Sequence, residues 1–228
     1  IHEAVAFRRL VSRIHAEEVE RGEWFVNVWQ PDTVKNADGR EVPFWQAEEE
    51  HLASCPDCWT LRSGDSWHGF GKLEENYCML DPIKVSITTP GVRRDGGLEE
   101  WGIPASVLTA YLDGDGIVVE KTADFSILFL FSIGVTKGKW GTLINTLLRF
   151  KSDYDANAPL DRVLPSLMEA WGERYAGMGL RDLCAEMFEA MKSLRTTSLL
   201  GEAFSLLPRA DMSPSLAYER LVRNESEQ

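Results

Sequence analysis

The stretch GIPASVLTAYLDGDGIVVEKTADFSILFLFSIG runs from Gly102 to Gly134 and decides the fold. It opens with a turn and continues with an apolar stripe at helical spacing, formed by Val107, Leu108, Tyr111 and Leu112. Ile117–Val119 and Ile127–Phe131 are β-branched and aromatic runs, too short to span a membrane and too apolar for strands with a solvated face. The stretch therefore predicts a helix that ends at Gly114, followed by two buried strands.

Glu120 directly follows the first of these apolar runs. A buried carboxylate costs several kcal/mol unless another group pairs with it. Two interpretations stay open from spacing alone. Glu120 is either a strand-end acid paired with Lys121 or an arginine, or a site residue whose partner is a ligand.

Composition bounds the class of protein. The chain has 228 residues, 44% of them hydrophobic, and a formal net charge of −12. This size and hydrophobic content predict a globular protein with a sizeable core. The negative charge disfavours a nucleic-acid partner, because phosphate binding needs clustered Lys and Arg. The opening residues contain neither a Met nor a long apolar run, so we expect no membrane segment, a cytosolic location, and a piece of a longer protein.

Four cysteines are too few for a disulfide scaffold. Cys55 and Cys58 form a CxxC pair that could belong to a zinc site or a redox centre, and His51 and His68 could in principle complete four ligands. A second CxxC is missing, so the sequence favours reduced loop cysteines and predicts no metal site.

Other segments predict the remaining elements. Phe7, Leu10, Val11 and Ile14 have helical spacing, with Arg8 and Arg9 expected on the solvated face. We expect a strand at Trp24–Trp29, a long irregular surface insertion at about 33–60, and an alternating strand at Ile83–Thr88. A helix capped by Thr136 should bury the stripe Trp140, Leu143, Ile144, Leu147 and Leu148. After Asp153 helices dominate: one carries Leu180, Leu183, Cys184, Met187 and Met191, and another begins at Ser213-Pro214.

His68 and Trp67 lie in the compact aromatic segment Ser66–Phe70. His68 could be catalytic, but a single histidine without a nucleophile or second ligand is more often structural. The residues alone thus predict an α/β unit of 1–152 followed by a helical part of 153–228, without a complete catalytic set.

A series of spaced motifs carries the argument further. They are LDPIKV (80–85), TPG (89–91), GIPA (102–105), GIVVEKT (116–122), LFLFSIG (128–134), TKGKWGTL (136–143), WHGF (67–70) and YDAN (154–157). In this order they resemble the bacterial ornithine/lysine/arginine decarboxylases, and the similarity runs from Phe7 to about Val222. The resemblance implies the fold type I, aspartate aminotransferase architecture. This chain would be its small α+β domain, a short mixed sheet packed by helices, followed by the helical start of the C-terminal domain.

The resemblance also implies the chemistry. Members of this family use pyridoxal phosphate to release CO2 from a basic amino acid, in amino-acid catabolism and acid resistance. Their Ser-x-His-Lys motif, whose lysine holds the cofactor, is absent from this sequence. The cofactor would therefore be bound by an upstream domain, and the chain alone should not decarboxylate anything. Glu120 matches the family's carboxylate that receives the substrate's side-chain amine.

The resemblance points to more than one possible substrate, and it bears on regulation and assembly. Glu120-Lys121-Thr122 resembles the lysine enzymes, whereas TKGKWGTL and YDAN resemble the arginine enzymes; lysine is slightly favoured. Pro159 stands where the inducible lysine enzymes carry an arginine that binds the alarmone ppGpp, which argues against such control. The family forms homodimers, some of which assemble into decamers. Two alternatives remain: a non-catalytic oligomerisation or regulatory module, and a zinc-binding module built on Cys55 and Cys58.

Overall fold

A computed structural model describes residues 1–206 and 212–223. The chain divides into two compact units, Ile1–Lys192 and Ser193–Gln228. The first unit holds the sheet and its helices. The second contains α8 (Thr196–Ser205) and α9 (Pro214–Val222).

A four-stranded sheet lies at the centre of the first unit. Its strands, in spatial order, are β1 (Asn27–Val28), β4 (Lys84–Thr88), β6 (Ser126–Leu130) and β5 (Lys121–Thr122). Every neighbouring pair is antiparallel, so the expected mixed sheet is wrong. The tight turn in which Ala123 N–H donates to Ser126 O, at 2.8 Å, forces β5 and β6 to run in opposite directions.

Helices pack with this sheet around one core. They are α1 (His2–Glu20), α3 (Ala105–Gly114) and α4 (Lys137–Asp155). The predicted apolar stripe of α3 is buried, and so is that of α4 except for Leu148, which is 41% exposed. Val85 and Ile87 of β4 alternate with more accessible neighbours, which confirms the period-two prediction for this strand.

The two buried strands expected in the 102–134 stretch are only partly present. Residues 117–119 form no strand, and Val118 is 84% exposed. After α3 the chain turns at Gly116, which has a φ of +71°. Of residues 117–122, the strand paired with β6 includes just Lys121 and Thr122. β6 itself is buried on one face, through Ile127 and Phe129, whereas the side chains of its other face are partly buried or exposed.

Residues 33–60 are structured, contrary to the expected irregular insertion. β2 (Thr33–Lys35) and β3 (Glu41–Pro43) form a hairpin, followed by a 3-10 turn at Phe44–Gln46, α2 (Glu49–Ser54) and a 3-10 turn at Pro56–Cys58. This segment has a second hydrophobic cluster, which includes Val5, Val34, Phe44, Leu52, Cys58, Trp59, Leu61 and Leu80. Its residues are far apart in sequence and show no period, which is why the sequence did not reveal it.

Arg8 is completely buried, although helical spacing placed it on the solvated face. Its guanidinium donates to Pro82 O at 3.0 Å and to Lys84 O at 2.8 Å, and it lies 5.4 Å from the ring centroid of Trp59. The loop before β4 folds over this face of α1. Arg8 therefore joins the two hydrophobic clusters.

Helical elements complete both units. In the first unit α5 (Leu160–Val163), α6 (Pro165–Tyr175) and α7 (Leu180–Leu194) follow α4. The expected boundary between residues 152 and 153 falls inside α4, and the domain division of the whole protein stays a prediction. In the second unit the predicted start of α9 is confirmed, because the Ser213 side chain accepts from Leu216 N–H at 3.3 Å.

Candidate functional site

Several of the motifs that carry the family resemblance have structural roles within the chain. The LDPIKV segment supplies the carbonyl oxygens that accept hydrogen bonds from Arg8. The TPG and GIPA segments touch through Gly91 and Gly102: a Cβ added at Gly102 would lie 2.7 Å from Gly91 Cα and 2.5 Å from the Phe188 ring. These motifs therefore hold the fold together.

The YDAN segment caps a helix. Asn157 Oδ1 accepts from the backbone N–H groups of Arg181 and Asp182, at 3.0 and 3.2 Å, in the first turn of α7. Asn157 Nδ2 donates in turn to Asp182 Oδ2 at 2.9 Å. These bonds satisfy orphan donors at the helix start. Asn157 thereby fixes the end of α4 against α7.

Glu120 is different, because its carboxylate has no partner among the residues that the structure describes. Its backbone N–H donates to Leu128 O at 2.9 Å, which places it beside β6, but its side chain is exposed. Within residues 1–206 and 212–223 no side chain forms an ion pair or hydrogen bond with its carboxylate. The expectation of a buried acid, and that of a salt bridge to Lys121 or an arginine, are both wrong.

Exposed apolar side chains occur close to Glu120 in sequence, alongside the exposed Lys121 and Thr122. Val118 is 84% exposed, Leu130 is 46% exposed and Ile133 is fully exposed. Isolated exposed apolar side chains are normal, but here three of them occur in the two motifs that flank this edge of the sheet. We call Val118, Glu120, Leu130 and Ile133 the Glu120 surface.

His68 has a structural environment. Its Nδ1 accepts from Phe70 N–H at 3.0 Å, so Nε2 carries the proton and donates to Arg62 O at 2.9 Å. Both ring nitrogens are thus occupied in a neutral imidazole. Trp67 packs against Trp29 with ring centroids 5.2 Å apart. Neither residue contacts Glu120 in the described structure, and a role for them in binding stays a prediction.

Two cavities meet at Trp67. One, of about 670 Å³, is lined by aromatic side chains, two arginines and acids, including Trp24, Trp29, Trp67, Trp101, Arg93, Arg94 and Glu99. No lysine is among the described residues that line it. A pyridoxal phosphate site needs a lysine for its Schiff base, so this cavity does not fit that cofactor.

The second cavity, of about 620 Å³, contains the CxxC pair. His51, Cys55 and Cys58 place one potential ligand atom each within 4.8 Å of one another, whereas His68 is not part of this group. All four cysteines are free thiols. Burial, and then the neighbouring Cys55, raise the pKa of the Cys58 thiol to about 12.

A polar network between α3 and α4 escaped sequence reasoning. Tyr111 OH donates to Asp153 Oδ2 at 2.6 Å and accepts from Arg149 Nε at 2.9 Å, while Arg149 also pairs with Asp115. Burial raises the pKa of the Tyr111 hydroxyl to about 12, and Asp153 adds to this effect. The sequence pattern assigns Tyr111 only to the apolar stripe, because its acid partner lies 42 residues away and carries no local signal.

The helices of the described residues include none that is long and apolar enough to cross a membrane.

Comparison with known proteins identifies the class. Residues 1–139 match the family model "Orn/Lys/Arg decarboxylase, major domain". This match covers more than half of the chain, so the chain belongs to the ornithine/lysine/arginine decarboxylase family.

Individual relatives agree with this assignment. The chain is 46% identical over 228 residues to the biodegradative arginine decarboxylase of Escherichia coli (strain K12), covering 100% of the chain and 30% of that protein. It is 44% identical over 225 residues to the lysine decarboxylase LdcA of Pseudomonas aeruginosa, covering 99% of the chain and 28% of that protein. The crystal structure of the Francisella novicida lysine decarboxylase LdcF superimposes with a TM-score of 0.78 at 34% identity, over 98% of this chain and 28% of that one. The chain thus spans about 30% of the length of these relatives.

Proposed function

We propose that this chain is part of a pyridoxal-phosphate-dependent decarboxylase of basic amino acids, in which the Glu120 carboxylate binds the distal cation of the substrate. Family membership supports the reaction class. The observation that carries the role of Glu120 is its isolation: an exposed acid, unpaired within the described residues, lies in one motif, while four other motifs are used for packing and capping within the chain.

The Glu120 surface suggests how this acid would work. The matched relatives are more than three times as long as the chain, so most of such a protein lies outside it. We propose that this remaining part covers the exposed Val118 and Ile133 and thereby removes water from around Glu120. A carboxylate in such surroundings binds an ammonium or guanidinium group strongly, and its missing partner would arrive with the substrate.

The cofactor is proposed to be held outside this chain. The cavity of about 670 Å³ has no lysine in its lining, and no step of the cofactor chemistry is assigned to the residues described here. Their proposed task is to recognise the side chain of the amino acid. A Ser-x-His-Lys motif in the remainder of the protein would support this division of labour.

Lysine is the proposed substrate. Glu120-Lys121-Thr122 resembles the lysine enzymes, and relatives named as lysine decarboxylases match the whole chain. The arginine enzyme of Escherichia coli matches it as well. Turnover of lysine, arginine and ornithine by the full-length protein, compared under the same conditions, decides between them; a higher kcat/KM for arginine contradicts the proposal.

The role of Glu120 is tested in the full-length enzyme with Glu120→Gln. The variant keeps the side chain's size but loses the charge, so kcat/KM should fall by about 10- to 100-fold, as expected for a hydrogen bond to a charged group worth roughly 1.5–3 kcal/mol. Glu169→Gln, which alters an exposed acid on α6, is the control and should be neutral. Unchanged kcat/KM in Glu120→Gln would favour the alternative of an oligomerisation or regulatory module.

The remaining expectations follow the family resemblance. We propose a cytoplasmic homodimer, capable of assembly into decamers, with a role in amino-acid catabolism and acid resistance. The exposed Tyr218, Leu221 and Val222 of α9 offer an apolar stripe for such assembly. Sedimentation of the full-length protein would measure its oligomeric state, and a monomer would contradict the proposal.

A further inference from the structure

We propose that His51, Cys55 and Cys58 bind a zinc ion through one imidazole nitrogen and two thiolates, with the fourth coordination position open to the cavity of about 620 Å³. Such a site is independent of the proposed decarboxylase activity. Sequence spacing alone favoured reduced loop cysteines, because it could not show that His51 lies beside them.

Local structure holds the three ligands together. His51 lies in α2, and Cys55 and Cys58 flank the 3-10 turn that follows it. Cys55 N–H donates to His51 O at 2.9 Å, and Cys58 N–H donates to Cys55 O at 3.2 Å. All three residues therefore lie on one short, hydrogen-bonded piece of backbone. Ordering this site on metal binding costs little conformational entropy.

The distances suit zinc. Zinc binds thiolate sulfur at about 2.3 Å and imidazole nitrogen at about 2.0–2.1 Å, so tetrahedral ligands lie roughly 3.5 Å apart. Ligand atoms within 4.8 Å of one another need only small side-chain rotations to reach this spacing. A donor set of two sulfurs and one nitrogen favours zinc over magnesium or calcium, because magnesium and calcium take oxygen ligands.

The histidine is already oriented by a neighbouring carbonyl. His51 Nε2 lies 2.9 Å from Lys35 O, and since a carbonyl oxygen only accepts, Nε2 carries the proton. The neutral ring then has its free lone pair on Nδ1. A hydrogen bond from the other ring nitrogen to a backbone carbonyl is the usual arrangement for metal-binding histidines.

Zinc binding at this site is coupled to loss of the thiol protons. Burial, and then the neighbouring Cys55, raise the pKa of the Cys58 thiol, so this thiol keeps its proton at neutral pH without metal. A divalent cation reverses this preference by stabilising both thiolates, and binding then releases protons. Zinc affinity should therefore rise with pH.

A zinc ion here would also stabilise the second hydrophobic cluster. Cys58 is a member of this cluster, and Trp59 Nε1 donates to Leu52 O at 2.8 Å across the segment that carries the ligands. An ion that binds only the folded state raises stability by mass action. The site would thus stabilise the fold of residues 33–60.

The experiment titrates the reduced full-length protein with Co²⁺ and Zn²⁺. Co²⁺ should produce thiolate-to-metal charge-transfer absorption at one equivalent, and Zn²⁺ should abolish it by displacement. Cys55→Ser and His51→Gln should each weaken Zn²⁺ binding at least 10-fold in a competition assay with a chromophoric chelator. Cys78→Ser removes a partly buried cysteine outside the group and should bind like the wild type.

Other outcomes overturn the proposal. The proposal is wrong if Co²⁺ produces no charge-transfer absorption, or if Zn²⁺ binding survives in Cys55→Ser and His51→Gln. It is also wrong if thiol counting and mass spectrometry find Cys55 and Cys58 joined in a disulfide in the protein as isolated. Because lysine turnover is measured separately, failure of the zinc site leaves the decarboxylase proposal intact. Circular dichroism of each variant confirms that a loss of binding is not a loss of fold.

Discussion

Arg8 fastens α1 to the loop that precedes β4. Burial lowers the pKa of its guanidinium to about 9, and Asp81 opposes this effect, so the side chain is still a cation at neutral pH. Hydrogen bonds to carbonyl oxygens and a cation–π contact with Trp59 offset the cost of burying this charge. A buried charge is stable only when its donors are satisfied in this way.

Arg8→Met should therefore destabilise the protein by roughly 3 kcal/mol, because it leaves buried carbonyl oxygens without donors. Urea unfolding at neutral pH measures this change. Arg13→Met is the control on the same helix, since Arg13 is half exposed and forms a surface ion pair with Glu17. Equal stability of the two variants would contradict the structural role of Arg8.

His15 should make stability depend on pH. Burial lowers its pKa below 6.5, although Phe25 O, which accepts from Nδ1 at 3.0 Å, and Asp32 act in the opposite direction. The unfolded chain then takes up a proton before the folded protein does. The contribution of His15 is present above pH 6.5 and is lost as the pH falls through that value.

We expect the wild type to lose more unfolding free energy between pH 7.5 and about pH 5.5 than His15→Gln does. Urea unfolding at both pH values tests this difference. His2→Gln alters an exposed histidine and should behave like the wild type. An identical pH dependence in His15→Gln, or an NMR titration of His15 above 6.5, would contradict the prediction.

At the scale of elements, the junction of α4 and α7 depends on Gly179. A Cβ added there would lie 2.2 Å from Asn157 Oδ1 and 2.4 Å from Asn157 O, the groups that hold the cap in place. Gly179→Ala should therefore destabilise the protein by about 1–3 kcal/mol. Thermal unfolding measures the change.

Gly141 is the matched control. It lies within α4, has no neighbouring atom within 4 Å of an added Cβ, and lacks a positive φ. Gly141→Ala should stabilise by about 0.4–1 kcal/mol, because alanine reduces the entropy of the unfolded chain and favours the helix. We expect the two substitutions to change the unfolding free energy in opposite directions. An unchanged unfolding free energy in Gly179→Ala would show that the cap tolerates rearrangement.

Elements with a strong local period were predictable. The stripes of α1, α3, α4 and α7, and the alternation in β4, follow directly from the sequence, and their residues are buried or partly buried except for the exposed Leu148. Predictions failed where partners far apart in sequence decide the outcome. Arg8 is buried by a loop more than seventy residues later, and residues 117–119 lack the neighbouring strand that a buried β-run requires.

The candidate site was predictable only through resemblance. Local pattern suggested that Glu120 is buried, whereas it is exposed and unpaired within the described residues. Its proposed partner is the substrate, and the surface proposed to cover Val118 and Ile133 belongs to other parts of such a protein. By contrast, the proximity of His51 to the CxxC pair depends on the turn after α2, which spacing alone did not fix.

At the scale of the whole molecule, the matched motifs have two kinds of role. LDPIKV, TPG, GIPA and YDAN are satisfied by contacts inside the chain, and the Glu120 surface is not. Family membership explains this contrast if the Glu120 surface faces the rest of a decarboxylase.

Pro159 immediately precedes α5 and has a φ of −58°. Its identity leads to a prediction about regulation by ppGpp.

Because proline lacks a charged side chain, the full-length enzyme should be insensitive to ppGpp. Its lysine turnover, measured with and without ppGpp, should be equal. Inhibition would show that the alarmone binds without the arginine expected at this position. Pro159→Arg, assayed in parallel, shows whether a cation there introduces sensitivity.

The most direct test of the role of Glu120 is a structure of the full-length protein with lysine or a non-reactive lysine analogue bound. We predict that a Glu120 carboxylate oxygen lies within hydrogen-bond distance, about 3 Å, of the distal amine, with Val118 and Ile133 covered by the rest of the protein. A Glu120 side chain that still faces bulk water, remote from the cofactor and the amine, would contradict it.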